Sequence, residues 1–196
     1  MRKLFLLAII GLMGCKTSLT PMEFAQYCND SRNGLIQSEE KNEVRIELKY
    51  LPKELMALHE FHGEFDRYSF DSVLETYHGM KYFNLKLIPV DKKTDVLLLN
   101  AQSKDQYYQR VQYFSSMINQ DLEMVIGKDT IPCSIHHYER TYQLSPVVEL
   151  MIGFEDKKPE LNENISIIYD DKIFALGKII MKIEGDKISK IPALKL

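Results

Sequence analysis

The stretch "DLEMVIGKDTIPCSIHHYE", residues 121–139, decides the fold class, because it holds two alternating apolar runs separated by a short turn. The turn is Gly127-Lys128-Asp129, and a glycine in so short a connection is typical of a β-hairpin. The residues of the second run that share one phase, and hence one face of a strand, are Ile131, Cys133, Ile135 and His137. The stretch therefore predicts an antiparallel hairpin with Cys133 facing the core.

The same alternation extends to both sides of this hairpin. Residues 43–50, "EVRIELKY", place apolar and charged side chains on opposite faces, which predicts a half-buried strand. A tight turn at Gly185-Asp186 is expected to join two strands near the end of the chain. The other segments that predict strands are residues 81–90, 94–100, 146–155, 164–171 and 177–191.

Two helices are predicted from their start signals. Thr20 and Glu23 form a capping box around Pro21, a residue that suits the first helical position. Ser103 and Gln106 form a second capping box. The apolar face of the helix that follows is Tyr107, Val111, Phe114 and Ile118.

A third helix is predicted from Pro52, with one stripe made of Leu55, Leu58, His59 and His62. About nine or ten strands then stand against about three helices, without an internal repeat. This pattern predicts a mainly β (α+β) fold, an antiparallel β-sandwich or barrel with about three peripheral helices.

The chain opens with "MRKLFLLAIIGLMGC", residues 1–15, in which two cations precede a short apolar run. The run is too short to cross a hydrocarbon core of about 30 Å as a helix. Its end, "LMGC", resembles the lipobox of bacterial lipoproteins. The resemblance implies that residues 1–14 are a signal peptide, that the thiol of Cys15 receives a diacylglycerol, and that residues 15–20 are a short tether. The alternative is an ordinary cleaved signal followed by an accidental cysteine.

Residues 21–196 are long enough for a single strand-rich globular domain. In general character this part is similar to small lipoproteins of the Bacteroidota, and residues 169–183, "YDDKIFALGKIIMKI", resemble the last strands of such proteins. The resemblance implies the cell envelope and no particular activity. Residues 16–18 lack the acidic residues that mark surface export in that group, which favours the outer membrane facing the periplasm. Ser72 and Thr130 match the acceptor pattern for O-glycosylation in the same phylum.

The distribution of charge limits the classes of partner that the protein can bind. Removal of Arg2 and Lys3 lowers the formal net charge from −3 to −5, and acids and bases are interspersed along the chain and not grouped in blocks. No face is then basic enough for nucleic acid. The expected partners are the membrane, through the lipid, and another envelope protein.

Cysteines and histidines supply the candidate sites. A disulfide between Cys28 and Cys133 is permitted in an oxidising compartment, but two free thiols are favoured because a core of this size needs no bridge. His59 and His62 are weak metal candidates, since two imidazoles on one helical stripe lack a third ligand, and packing at a domain edge explains them as well.

Two other pairs have similar alternatives. His136 and His137 are adjacent on a predicted strand, so their side chains point to opposite faces. Asp170 and Asp171 follow a strand and offer oxygens to Ca²⁺, but an exposed turn explains them without an ion. No cofactor is expected from these patterns.

The anchor, the short tether and the lack of a catalytic motif favour a non-catalytic interaction or scaffolding component of a membrane-associated complex. The alternative is a periplasmic carrier whose barrel or cleft holds a lipid or another apolar small molecule. A hydrolase that uses His59 or His137 is a third hypothesis.

Overall fold

The computed structural model describes residues 18–156 and 163–196. Cys15, the predicted signal peptide 1–14 and the first residues of the predicted tether lie outside the described residues. The helices are α1 (Pro21–Asn29), α2 (Lys53–His59), α3 (Arg67–Thr76), α4 (Lys104–Ser116) and α5 (Gly185–Ser189). The strands are β1 (Ser18–Leu19), β2 (Ile36–Lys41), β3 (Val44–Leu51), β4 (Met80–Pro89), β5 (Leu122–Ile126), β6 (Asp129–Tyr138), β7 (Val148–Glu155), β8 (Ile165–Asp170), β9 (Lys178–Ile183) and β10 (Ala193–Leu194).

Eight strands form one antiparallel sheet in the order β2-β3-β4-β7-β6-β5-β8-β9. The sheet curls into a nearly closed barrel, which confirms the predicted mainly β class with peripheral helices. At the seam between β2 and β9 the side-chain amide of Asn42 donates a hydrogen bond to the carbonyl of Ala175 at 3.0 Å. The short strands β1 and β10 form a separate parallel pair.

The predicted hairpin is confirmed as β5 and β6. Ile126 pairs with Asp129, so the loop is Gly127-Lys128, and Gly127 has a φ of 58° that favours glycine. The predicted face of β6 is wrong beyond Cys133, because a β-bulge shifts the register between Cys133 and Ile135. Ile135 is consequently 43% exposed instead of buried.

Alternate residues of the strands point inward and fill the barrel. Among the largest fully buried side chains are Phe83, Phe154 and Tyr169. Phe114 of α4 packs into the same core, where its ring lies 6.0 Å from that of Tyr138. Helix α4 therefore closes one end of the barrel, called here the α4 end. The predicted apolar face of α4 is confirmed for Tyr107, Val111 and Phe114, which are buried; Ile118 is also buried, but it lies beyond the end of α4 in a short 3-10 helix, Ile118–Asp121.

The opposite end of the barrel, called here the cleft end, receives the end of β3 and the start of β4. On the outer surface near this end, α1 and α2 cover the sheet with a second apolar cluster. Phe24 and Cys28 of α1 pack there with Leu55 of α2 against Tyr82 of β4. No helix among the described residues is long and apolar enough to cross a membrane.

The first capping box is confirmed: the Thr20 side chain accepts from the backbone N–H of Glu23, and the Glu23 carboxylate accepts from that of Thr20 at 2.9 Å. The second is half right. Ser103 accepts from the backbone N–H of Gln106 at 3.2 Å, but the Gln106 side chain accepts from the backbone of Gln102.

Two predicted strands are wrong. Residues 94–100 form a short 3-10 helix, Val96–Leu98, which the Asp95 carboxylate caps by accepting from the backbone N–H of Leu97. The second is the strand predicted after a turn at Gly185-Asp186. These two residues instead begin helix α5. Helix α3 was not predicted; Phe70 is its one buried residue.

Candidate functional site

A cleft of about 510 Å³ opens at the cleft end of the barrel. One wall is α3, which contributes Phe70 and Leu74, and the other is the C-terminal segment, which contributes Ile188 and Leu194. The floor includes Tyr50, Lys81 and Asp156 from three strands of the barrel or their ends. The cleft thus combines apolar walls with a polar floor, and its size suits the burial of a small ligand or a few side chains of a partner.

A buried ion pair lies in the floor of the cleft. The Lys81 ammonium donates to the Asp156 carboxylate at 2.7 Å, and the two side chains are only 9% and 10% exposed. Lys81 shares the inward phase of β4 with Phe83, and Asp156 continues the inward phase of β7 after Phe154. The barrel therefore ends in a charged layer at positions where the strands elsewhere place apolar residues.

Tyr50 completes this layer. Burial raises the pKa of its hydroxyl above the ordinary value, and the carboxylates of Glu54 and Asp156 raise it further. The hydroxyl is thus held protonated, as a hydrogen-bond donor, throughout the physiological range. No acceptor for it occurs among residues 18–156 and 163–196, so it is available to a group that enters the cleft.

The α3 wall is held to α2 by aromatic and polar contacts. The rings of Phe61 and Phe65 stack 4.5 Å apart, and Phe65 stacks on Phe70 at 5.7 Å. The Tyr77 hydroxyl donates to the Glu60 carboxylate at 2.6 Å. Burial and this hydrogen bond raise the pKa of Tyr77 to about 12. These contacts hold α3 in place as the wall of the cleft.

The two metal candidates do not share one helical stripe. Helix α2 ends at His59, and His62 follows in a loop. Partial burial lowers the pKa of His59, and the nearby Lys49 lowers it further. Within the described residues no group of three histidine, cysteine or acidic side chains is placed to hold a metal ion.

The two members of each other candidate pair, His136 with His137 and Asp170 with Asp171, lie in different surroundings. His136 places Nε2 at 3.2 Å from the carbonyl oxygen of Ser115, whereas His137 is exposed. The Asp171 carboxylate accepts from the Tyr169 hydroxyl and from three backbone N–H groups of its own loop. Asp170 instead pairs with Lys172 at 2.5 Å. The two carboxylates thus have different partners and do not converge on one site, and Asp171 is buried and not part of an exposed turn.

Cys28 and Cys133 are both free and buried, each in a different apolar cluster. Burial raises the pKa of Cys28 to about 12 and that of Cys133 to about 11. The Cys133 thiol donates to the carbonyl of Ile135 at 3.1 Å. Both thiols are therefore protonated near neutral pH, which makes them weak nucleophiles.

Alkylation is expected to follow this burial. At pH 8 without reductant, iodoacetamide should modify Cys28 and Cys133 slowly in the native protein and both of them rapidly after unfolding. The measurement is intact mass with peptide mapping. Modification of the unfolded protein only after a reductant is added would show a disulfide instead.

The two matches to the glycosylation pattern are on the surface. Ser72 is exposed on α3, near the outer rim of the cleft wall, and Thr130 is exposed on β6. Both hydroxyls lie within regular elements and not in loops. The structure leaves O-glycosylation at these residues a prediction.

The floor of the cleft was not predicted from the sequence. One residue could have indicated it: Lys81 is a charged residue that shares the alternation of the buried residues of β4. The chain matches no family model, no curated protein and no solved structure. We therefore infer function from the position of the cleft and from the residues that line it.

Proposed function

We propose that the chain is a lipid-anchored protein of the cell envelope that acts by contact, as a non-catalytic interaction or scaffolding component of a membrane-associated complex. The observation that carries the proposal is the position of the cleft beside the first described strand. β1 pairs with β10, and Ala193 and Leu194 of β10 line the cleft. The outer membrane, facing the periplasm, is the proposed location.

The tether then sets where the cleft faces. From Cys15 to Ser18 an extended chain spans at most about 11 Å. Ser18 is fixed to the domain, because β1 pairs with β10 and the backbone N–H of Lys195 donates to the carbonyl of Leu19 at 2.8 Å. A lipid on Cys15 would hold the cleft close to the bilayer surface. Such tethering raises the effective concentration of membrane-bound partners, so a weak contact suffices.

The packing of the barrel supports contact at the surface over storage of a ligand inside it. Fully buried side chains such as Leu48, Leu85 and Ile167 occupy the interior. A carrier needs a cavity of several hundred Å³ for its ligand. The cleft itself has that volume, and this is the observation that keeps a carrier of a lipid or another apolar molecule as the second candidate.

The chemistry of the reactive side chains also supports contact over catalysis. The two thiols are buried with raised pKa values. The histidines considered for a hydrolase, His59 and His137, lie on α2 and β6, respectively.

The proposed contact surface is the cleft. The proposed occupant is a membrane-proximal segment of another envelope protein, whose apolar side chains pack between α3 and the C-terminal segment.

Site-specific photo-crosslinking in intact cells tests this proposal. A benzophenone amino acid at Leu74, in the cleft wall, should give a discrete, protease-sensitive product of higher mass. The matched control is Tyr108 of α4, which is 58% exposed and belongs to the opposite end of the barrel. It should give no such product.

The mass of the adduct separates the two candidates. A protease-resistant adduct of lipid mass at Leu74 would favour the carrier over the interaction component. Equal protein products from Leu74 and Tyr108 would contradict a specific contact at the cleft.

A further inference from the structure

A buried arginine lies in a second pocket, at the α4 end of the barrel. Arg110 of α4 is only 5% exposed, and its guanidinium carbon lies 5.1 Å from the centre of the Phe174 ring. The pocket has a volume of about 520 Å³ and is also lined by Asn42, Glu43 and Asn100. A cation at such depth needs compensation, because burial of an unpaired charge is costly.

The hydrogen bonds of Arg110 use one side of the guanidinium only. Nη1 donates to the carbonyls of Leu97 and Leu99 at 2.9 and 2.7 Å. Nε and Nη2 have no acceptor among the described residues. Every fully buried side-chain nitrogen or oxygen in that part of the chain has a partner, so these two nitrogens are not completely buried, and Arg110 is one of the residues that line the pocket. The Nε and Nη2 hydrogens point in parallel and form the edge that binds a carboxylate by two hydrogen bonds.

The charge of Arg110 is not neutralised by a contact ion pair within residues 18–156 and 163–196. The carboxylate that stabilises its charge electrostatically is that of Asp171. That carboxylate already accepts four hydrogen bonds from Tyr169, Ile173, Phe174 and Leu176. It holds the loop between β8 and β9 and does not reach the open edge of the guanidinium.

The other residues of the pocket limit which anions it can bind. Leu99, Ile173 and Phe174 give it an apolar wall. Asn100 donates to the exposed Glu43 carboxylate at 3.5 Å, which places one negative charge in the lining. A single cation with this carboxylate in the same pocket disfavours a phosphate dianion and suits a monoanion with an apolar body.

We propose that the Arg110 pocket binds a small organic monocarboxylate. The carboxylate accepts two hydrogen bonds from Nε and Nη2 of Arg110, and the apolar part of the ligand packs on Leu99 and Ile173. The site is at the opposite end of the barrel from the cleft, so it is independent of the proposed partner contact.

The test is a titration of the ¹⁵N-labelled, detergent-solubilised full chain at constant ionic strength, followed by the Nε–Hε resonances of its arginines and, so that variants without Arg110 can be compared, by the backbone amide resonances of Asn100 and Phe174 in the pocket lining. Pentanoate should shift the Arg110 resonance saturably, with a dissociation constant in the millimolar range. Acetate, which lacks the apolar body, and inorganic phosphate should each bind more weakly. Arg110→Lys should weaken pentanoate binding about tenfold, because an ammonium does not form the bidentate pair.

Arg140→Lys is the matched control, because Arg140 is an exposed arginine that stacks on Tyr142. It should leave pentanoate binding unchanged. Glu43→Gln provides a second variant that does not depend on the folding of the Arg110 variant, and it should reduce the preference for pentanoate over phosphate. An Arg110 resonance that does not move, equal shifts with all three anions, or unchanged binding in a folded Arg110→Lys variant would overturn the proposal.

Discussion

Asp156→Ala is expected to lower the free energy of unfolding by about 3–5 kcal/mol, because it leaves the Lys81 ammonium buried without its counter-charge. The pair is joined at 2.7 Å, and both side chains are about nine-tenths buried. For a chain of this length the loss corresponds to a fall of roughly 10 °C in the melting temperature. Urea unfolding followed by circular dichroism measures the free energy.

Asp186→Ala is the matched control for this prediction. Asp186 pairs with Lys190 at 2.9 Å on the protein surface, where solvent screens the pair, so its loss should destabilise the protein far less than the loss of Asp156. The double variant Lys81→Met/Asp156→Leu should recover most of the stability, since apolar side chains often replace a buried pair without loss. Equal effects of Asp156→Ala and Asp186→Ala would contradict the buried ion pair.

On the proposal that the protein is lipid-anchored, Cys15→Ala is expected to abolish lipidation completely, because no other side chain of the motif "LMGC" supplies a thiol that can form the thioether. The precursor should remain uncut, since the peptidase of this family acts on the lipidated cysteine. The measurement is incorporation of labelled palmitate together with the mass of the protein.

Cys28→Ala is the control, because it removes a thiol that is buried on α1. It should retain the label and the membrane fraction. Incorporation of palmitate into the Cys15→Ala protein would show that the resemblance to the lipobox is misleading.

The strands could be predicted from the sequence because their side chains alternate between a filled interior and solvent. Alternation fails where local geometry changes the phase, as it does at the bulge after Cys133. The strand prediction also failed at residues 94–100, where the apolar residues are continuous and follow Asp95, a helix-capping residue. A short apolar run fits a buried strand and a buried helical turn equally well, so only the tertiary contacts distinguish them.

The cleft could not be predicted, because its floor joins residues that are distant in sequence. Lys81 and Asp156 are 75 residues apart and meet because Lys81 of β4 pairs with Phe154 of β7. The partner of a strand and its register depend on the whole sheet and not on the local pattern. The same holds for Arg110, whose burial depends on the loop around Phe174.

Contact through the cleft, and not catalysis, is the central claim, and complementation of a deletion strain tests it most directly. His59→Gln and His137→Gln should each complement, whereas Leu74→Asp, which places a charge in the apolar wall of the cleft, should not. All three variants must be folded and membrane-bound, as judged by circular dichroism and fractionation. Failure of a folded histidine variant together with full complementation by Leu74→Asp would contradict the claim and indicate an active site elsewhere.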